Sequence, residues 1–208
     1  MRRGGRGAGR ARHGHARRRA RRRPRPRGGV VLSEDSVVRP PVGRQVIVAV
    51  ALLVAVAAVA LGGSLTTVGN VEGWYADAQK APWSPPNGVF GPVWTLLYAG
   101  IALACFLVWR RGYLGSGQRN RARPWITGWI VQLVLNAAWT PLFFAGFPVI
   151  GEASWWIAAV IIVLLLAVVL WLILGARRWS RIAMVVMIAY ALWLAFATTL
   201  NIAVIALN

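Results

Sequence analysis

Five long apolar segments constrain the fold of this chain more than any other feature of its sequence. They run over residues 46–65, 89–109, 125–144, 155–174 and 182–207. Each approaches the ~20 residues that an α-helix needs to cross a bilayer. A bilayer offers no water to unpaired backbone groups, so spanning segments fold as helices or closed barrels, and no alternation of period two favours strands here. The sequence therefore predicts an all-α integral membrane protein, a bundle of five transmembrane helices over residues 45–208.

The basic residues lie on one side of the predicted spans. Fifteen arginines precede the first span, five lie between the second and third spans, and three lie between the fourth and fifth, whereas the only lysine, Lys80, belongs to the opposite side. Arginine and lysine are enriched in cytoplasmic loops. We therefore expect a multi-pass protein of a bacterial cell (inner) membrane, with its N-terminus in the cytoplasm and its C-terminus outside.

Residues 1–44 form an Arg-, Gly- and Pro-rich tail that carries most of the formal net charge of +19. This composition offers little apolar surface to bury, so we expect a disordered cytoplasmic tail. We interpret it as a solvated segment beside anionic lipids and expect no nucleic-acid partner; recruitment of another protein is a further interpretation. Alternatively, the native protein starts at Val30, Val37 or Val46 and lacks much of the tail.

The connection between the first two spans, residues 66–87, combines aromatic side chains with prolines. Pro82, Pro85 and Pro86 lack backbone N–H groups and hold their neighbours out of the helical region. The connection is therefore expected to fold as an ordered turn instead of continuing a helix. Aromatic residues surround this turn, namely Trp74, Tyr75, Trp83 and Phe90. We interpret the whole segment as a lid over a ligand site.

Aromatic and amide side chains also occur inside the predicted spans. Trp94, Trp139 and Trp193 lie at least a turn from the nearest loop, where an indole N–H needs a partner. Asn136 and Gln132 are four residues apart, so they share one helix face with Trp139. Interhelical hydrogen bonds and ligand contacts both explain these residues. Four other tryptophans at span ends fit an interfacial aromatic belt, namely Trp109, Trp125, Trp171 and Trp179.

The predicted spans contain no carboxylate, histidine or lysine. This composition argues against a hydrolase, a proton-coupled pump or an ordinary ion channel. Aromatic walls with a few amides fit a flat, largely apolar ligand. Because His13 and His15 both lie in the tail, the predicted spans offer no histidine to ligate a metal or haem iron, so no metal site is predicted and no cofactor is required.

Three stretches carry aromatic motifs in a fixed order: WYADAQKAPWSPPNGVFGPVW over residues 74–94, QLVLNAAWTPLFF over residues 132–144 and YALWLAFATTLN over residues 190–201. They closely resemble the first loop with the second helix, the third helix and the fifth helix of the TspO/MBR family. That family is also called tryptophan-rich sensory protein, translocator protein or peripheral benzodiazepine receptor. The resemblance covers residues 62–208.

The resemblance implies a membrane receptor or transporter-like protein whose pocket, closed by the first loop, binds tetrapyrroles such as protoporphyrin IX, with a sensory or regulatory role in tetrapyrrole metabolism. Two alternatives come with it: a light- and oxygen-dependent porphyrin-degrading enzyme, in which Trp94 and Trp193 would be catalytic, and a sterol- or lipid-binding translocator. Family members often form homodimers, and Gly100 and Ala104 supply a face of small residues. Carried over by motif, the ligand-binding residues are Trp74, Tyr75, Trp83, Phe90, Trp94, Asn136, Trp139, Phe143, Tyr190, Trp193, Ala197 and Leu200.

The chain departs from the family pattern at three places. Ala81 follows Lys80 where the family has proline, which alters the expected lid geometry, and Ala189 replaces the proline before Tyr190, which predicts a straighter fifth span. No tyrosine and basic residue follow Leu200, so the cholesterol-recognition pattern of animal members is missing. We therefore rank sterol binding below porphyrin binding.

Overall fold

The computed structural model describes residues 39–113 and 119–208, and within these ranges it contains helices and no strands. Five helices are long and apolar enough to cross a membrane, which confirms the predicted all-α, five-span architecture. They are α1 (Val42–Val71), α3 (Phe90–Arg111), α4 (Arg123–Phe144), α6 (Ala153–Ala176) and α7 (Arg181–Leu207). The shorter elements are α2 (Trp74–Asp77), a 3₁₀ turn (Asn87–Val89) and α5 (Phe147–Ile150). Most of the predicted tail, residues 1–38, lies outside the described ranges.

The first helix is longer than the sequence predicted. It begins at Val42, directly after two prolines, and continues to Val71, six residues past the predicted end of the span. At its end Thr67 Oγ1 donates to the carbonyl of Gly63 (2.7 Å) and Asn70 Nδ2 to that of Thr66 (2.9 Å). These polar side chains bond within the helix instead of ending it. The predicted start of the loop at residue 66 is therefore wrong, and we call residues 72–89 the lid segment.

The other helix ends follow local signals in the sequence. Pro124 stands in the first turn of α4, where its missing N–H costs no hydrogen bond. The Ser180 side chain caps α7 by accepting from the backbone N–H of Ala183 (3.2 Å). α7 is continuous through Ala189, the position at which the family pattern has proline.

The five long helices close into a ring in the order α1, α3, α7, α6, α4 and back to α1. The interior of the ring is apolar and fully buried at residues such as Ile101, Ile162, Leu165 and Leu194. α1 contributes least to this core, since Val56 is its one buried residue. The remaining surface of α1 is left for lipid and, as described below, for one wall of a cavity.

Charge divides the two ends of the bundle. The described arginines lie at the end of the bundle where α1, α4 and α7 begin and α3 and α6 end. We call this end the arginine-rich face. The three described carboxylates, Glu72, Asp77 and Glu152, lie at the other, where α1 ends and α6 begins. We call this end the loop face because it carries the lid segment.

The small-residue face that the sequence suggested for a dimer lies inside the subunit. Ala104 is fully buried, and a Cβ added to Gly100 would lie 2.9 Å from Cγ1 of Val186 in α7. Small residues permit close approach of two helices of one chain as readily as of two chains. The suggested interface is therefore wrong, whereas dimer formation itself stays a prediction.

Candidate ligand-binding cavity

A cavity of about 580 Å³ opens in the half of the bundle nearest the loop face. Its walls come from α1, α3, α4 and α7, and Tyr75 of α2 covers it from above. The volume lies within the range of small-molecule sites, which are concave and mostly apolar. The lid segment and the ring of helices thus enclose a space for an organic ligand.

Eight of the twelve residues predicted to bind ligand line this cavity. They are Tyr75, Phe90, Trp94, Trp139, Phe143, Trp193, Ala197 and Leu200. They come from four separate helices, so the structure brings together residues up to 125 positions apart in the chain, from 75 to 200. Their role in binding stays a prediction.

The aromatic walls are built from rings in contact with one another. Trp94 stacks on Tyr98 with ring centroids 5.4 Å apart, and Trp139 stacks on Phe143 at 5.7 Å. Trp193 meets Trp94 edge to face at 6.4 Å. The indole Nε1 of Trp193 is buried and has no hydrogen-bond acceptor among the described residues. The walls therefore offer flat apolar surfaces to a ligand.

Two predicted residues of the lid segment lie outside the cavity. Trp74 donates from Nε1 to the carbonyl of Phe144 (2.8 Å) and packs against the ring of Trp155 at 5.3 Å. Trp83 is 57% exposed and donates to Oγ1 of Thr199 (3.2 Å) on the outer surface of α7. Both tryptophans therefore hold the lid segment onto the bundle. Their position in the sequence motif does not show whether they serve this role or contact a ligand.

The other two predicted residues outside the cavity, Asn136 and Tyr190, lie buried beneath its deep end. The hydroxyl of Tyr98 donates to Asn136 Oδ1 (2.7 Å), and Asn136 Nδ2 donates to the hydroxyl of Tyr190 (2.7 Å). Asn136 and Tyr190 are 1% and 0% exposed, so neither reaches the cavity. Asn136 thus joins α3, α4 and α7 at the deep end of the cavity, where Tyr98 is the lining residue that it contacts.

A second amide, Asn201, links another part of the wall. Its Oδ1 accepts from Trp139 Nε1 (3.3 Å), and its Nδ2 donates to the carbonyl of Trp155 (3.3 Å). Burying these groups without partners would be costly in a membrane. The bonds fix the Trp139 ring in the wall and join α4, α6 and α7.

The lid segment is tied to the C-terminal end of α7. The Gln79 backbone N–H donates to Asn208 Oδ1 (2.8 Å), and Asn208 Nδ2 donates to the Gln79 carbonyl (3.0 Å). Lys80 places Nζ 4.9 Å from the centroid of the Tyr75 ring. Burial raises the pKa of the Tyr75 hydroxyl above its ordinary value of 10.0, which keeps it neutral over the cavity.

The sequence analysis missed the α1 wall entirely. The residues that it did not assign are Ala60, Leu61, Gly63, Ser64, Thr67, Val68, Val71, Glu72, Asn87, Gly91, Thr95, Tyr98, Thr140, Phe144 and Asn201. A usable signal was the run GGSLTT over residues 62–67, where small and hydroxyl-bearing residues interrupt an otherwise apolar helix. Asn201 stands within the motif of residues 190–201, and Tyr98 follows the motif of residues 74–94 by four residues.

Comparison with known proteins identifies the family. The family model described as TspO/MBR family matches residues 49–207, which is most of the chain and all five helices. The chain belongs to the TspO/MBR family. The tryptophan-rich protein TspO of Archaeoglobus fulgidus is 34% identical over 160 residues, covering 76% of this chain and 95% of that protein.

TspO/MBR members from other organisms match over the same region. The translocator protein of Homo sapiens is 36% identical over 139 residues, which cover 67% of this chain and 77% of its own length. The tryptophan-rich sensory protein of Cereibacter sphaeroides is 29% identical over 140 residues, 65% of this chain and 77% of that protein. Family membership and the five apolar helices together make this an integral multi-pass membrane protein.

The lining of this TspO/MBR cavity carries almost no charge. Glu72 is the one charged residue that lines it, and none of the lining residues is basic. Within residues 39–113 and 119–208, no group of three or more His, Cys, Asp or Glu side chains is placed to hold a metal. The site offers aromatic faces and threonine and serine hydroxyls to a planar, largely apolar molecule.

Proposed function

We propose that this TspO/MBR protein binds a porphyrin, such as protoporphyrin IX, in the cavity beneath the lid segment and serves as a sensory or translocator protein for tetrapyrroles. The observation that carries the proposal is the pairing of flat aromatic walls, Trp94 with Tyr98 and Trp139 with Phe143, around about 580 Å³. Stacked rings favour a planar π-system over a branched or flexible ligand.

The charge of the cavity supports stacking as the main source of affinity. Because no basic residue lines the walls, the porphyrin carboxylates gain no ion pair from the lining residues. Apolar burial is not screened by salt, whereas charge pairs are. We therefore expect the dissociation constant to change little, less than about 3-fold, between low and physiological ionic strength.

Tryptophan fluorescence of the purified full-length protein, titrated with protoporphyrin IX, tests the proposal. Trp94→Ala removes part of the wall and is expected to raise the half-saturating concentration about 10-fold or more, since a buried aromatic contact contributes roughly 1–3 kcal/mol. The matched control is Trp156→Ala, which deletes a tryptophan that is 58% exposed and outside the cavity. Non-saturable quenching, or equal weakening in both variants, would show that this cavity is not the porphyrin site.

Light-dependent oxidation of the bound porphyrin is the second candidate. The observation that favours it is the contact of Trp94 with Trp193 at 6.4 Å, with both rings in the cavity wall. In that case, a product should accumulate only with light and oxygen, and Trp94→Phe should abolish its formation while porphyrin still binds. Product in the light no greater than in a protein-free control would leave binding as the function.

A further inference from the structure

A second cavity lies at the opposite end of the molecule, on the arginine-rich face. It has a volume of about 370 Å³ and is separate from the aromatic cavity. Its walls come from the end of α3 and from the connection between α6 and α7, namely Arg111, Arg177, Arg178, Trp179, Ser180, Arg181 and Ile182. Four of these seven residues are arginines.

No described carboxylate can neutralise this cavity. Glu72, Asp77 and Glu152 all lie at the loop face, at the far ends of the spanning helices. The preference for arginine on one side of a membrane explains why basic residues occur at this end. It does not explain why four guanidinium groups from two separate segments border one cavity, where their mutual repulsion is unfavourable without an anion.

The cavity is also held in place by the protein. Arg111 Nη1 donates to the backbone carbonyl of Trp179 (2.8 Å), which ties the end of α3 to the connection between α6 and α7. A guanidinium has five N–H donors, so Arg111 retains others for a ligand. The wall also includes the first turn of the 27-residue helix α7, where the N–H groups of Arg181 and Ile182 have no acceptor within the helix.

The position of the cavity matches the boundary between lipid and water. Ile182, one of its lining residues, is 58% exposed, and Leu174 at the end of α6 is 67% exposed. Exposed apolar side chains of a spanning helix face acyl chains, so the arginines beside them stand at headgroup level. Basic pockets between transmembrane helices are suited to phosphate-bearing headgroups.

We propose that this cavity, which we call the basic cavity, binds a phosphate group. Guanidinium forks match phosphate oxygens in geometry and form charge-assisted hydrogen bonds with them. Two sources share this chemistry: an anionic phospholipid of the surrounding bilayer and a free phosphorylated solute. The basic cavity is independent of the aromatic cavity and of any porphyrin.

Matched triple variants test this proposal. Arg177→Gln, Arg178→Gln and Arg181→Gln together remove three charges from the basic cavity. The control triple is Arg119→Gln, Arg121→Gln and Arg123→Gln, which removes three exposed charges from the same face but outside the cavity. Both triples change the net charge equally. A general electrostatic effect would therefore weaken anion binding equally in both, whereas a specific site would make only the first triple bind more weakly.

The measurement is binding of a short-chain phosphatidylglycerol to the full-length protein in a non-ionic detergent, with the matching phosphatidylcholine as the zwitterionic reference. We expect the cavity triple to raise the half-saturating concentration of phosphatidylglycerol about 10-fold or more and the control triple to change it less than about 3-fold. An unchanged protoporphyrin titration and unfolding temperature show that each variant is folded.

Competition with inorganic phosphate distinguishes the two sources. Millimolar phosphate that displaces the lipid from the wild type, and binds the cavity triple less well, supports a phosphate site open to solutes. Lipid binding that is sensitive to the cavity triple but not to phosphate supports a headgroup site. Equal weakening in both triples, or equal binding of phosphatidylglycerol and phosphatidylcholine, would overturn the proposal.

Discussion

Asn136 shows how one residue type serves two purposes that sequence alone does not separate. Its amide accepts from Tyr98 and donates to Tyr190, each at 2.7 Å, and it is 1% exposed. Both polar atoms are therefore engaged in the subunit, and the residue supports the cavity without lining it. Of the two interpretations open at the sequence level, interhelical hydrogen bonding describes this geometry.

Replacing Asn136 with alanine is expected to lower the free energy of unfolding by about 2 kcal/mol. The change leaves two buried hydroxyls without their partner, and an orphaned buried polar group costs about 1–3 kcal/mol. Thermal unfolding of the detergent-purified protein measures the loss. Thr198→Ala is the control, because that hydroxyl bonds only to the Leu194 carbonyl in its own helix (2.8 Å), and it should change stability by less than about 0.5 kcal/mol.

Tyr98→Phe extends the same test through a double-mutant cycle. With Asn136 already replaced, loss of the Tyr98 hydroxyl should cost less than it does in the wild type, because the bond between the two residues no longer exists. The expected coupling is about 1 kcal/mol. Strictly additive effects would contradict a direct contribution of this bond to stability.

Tryptophan positions were harder to predict than tryptophan numbers. Trp171 is 50% exposed, as an interfacial belt requires, but Trp109 and Trp125 are buried in the bundle, which corrects the belt assignment for those two. Trp125 donates to the carbonyl of Leu172 in α6 (2.8 Å). Distance from a loop is readable from sequence; the side of the helix that faces a neighbour depends on packing partners far along the chain.

At the scale of elements, α4 and α6 approach closely because glycines make room for tryptophans. A Cβ on Gly175 of α6 would lie 2.8 Å from Cδ1 of Trp125, and a Cβ on Gly128 of α4 would lie 2.5 Å from Cζ3 of Trp171. The two contacts differ in freedom. Trp125 is buried and hydrogen-bonded, whereas Trp171 is half exposed and has space to turn aside.

Gly175→Ala is therefore expected to destabilise the protein more than Gly128→Ala. The methyl group added at Gly128 would meet the half-exposed Trp171, which has space to turn aside, but it would also lie 3.2 Å from Cδ2 of the fully buried Leu172. Overpacking against a fixed side chain costs about 1–3 kcal/mol, while replacing glycine by alanine within a helix returns up to about 1 kcal/mol. The net loss for Gly175→Ala is then about 1 kcal/mol, measured by unfolding in detergent. Equal effects of the two substitutions would show that the side chains facing Gly128 are as constrained as Trp125.

The number and type of the elements were predictable, and their exact contacts were not. Helix length and hydropathy respond to the bilayer, a constraint that acts on each span separately, so the five spans follow from the sequence. The end of α1 was misjudged because Thr66, Thr67 and Asn70 satisfy their polar groups on their own helix. The α1 wall of the cavity was not predicted for a related reason: it is made of small residues whose role depends on the helices that pack opposite them.

At the scale of the molecule, the separation of charge predicts how the protein lies in its membrane. All three described carboxylates lie at the loop face and the arginines at the other, so the proposed orientation places the loop face outside the cytoplasm. Cys105 is 1% exposed, so this native thiol is not expected to react with a water-soluble labelling reagent. In intact cells, a membrane-impermeant thiol reagent should label Q79C and spare R178C, and the reverse pattern would show the opposite orientation.

Removing residues 2–36 is expected to leave porphyrin binding unchanged. The TspO/MBR match begins at residue 49, and both cavities are built from residues beyond 59. The measurement is the same fluorescence titration on the shortened and the full-length protein. A shift in the dissociation constant larger than about 3-fold would instead assign the arginine-rich tail a part in ligand binding.

The hydrogen bonds beneath the cavity limit the routes by which a ligand could leave it. Tyr98, Asn136 and Tyr190 are joined by hydrogen bonds at the deep end of the cavity, on the side of the arginine-rich face. A ligand that moved from the cavity towards the arginine-rich face would have to break these bonds. On the opposite side, the lid segment is held to the end of α7 by the two hydrogen bonds between Gln79 and Asn208, which would have to break for that part of the lid segment to move away.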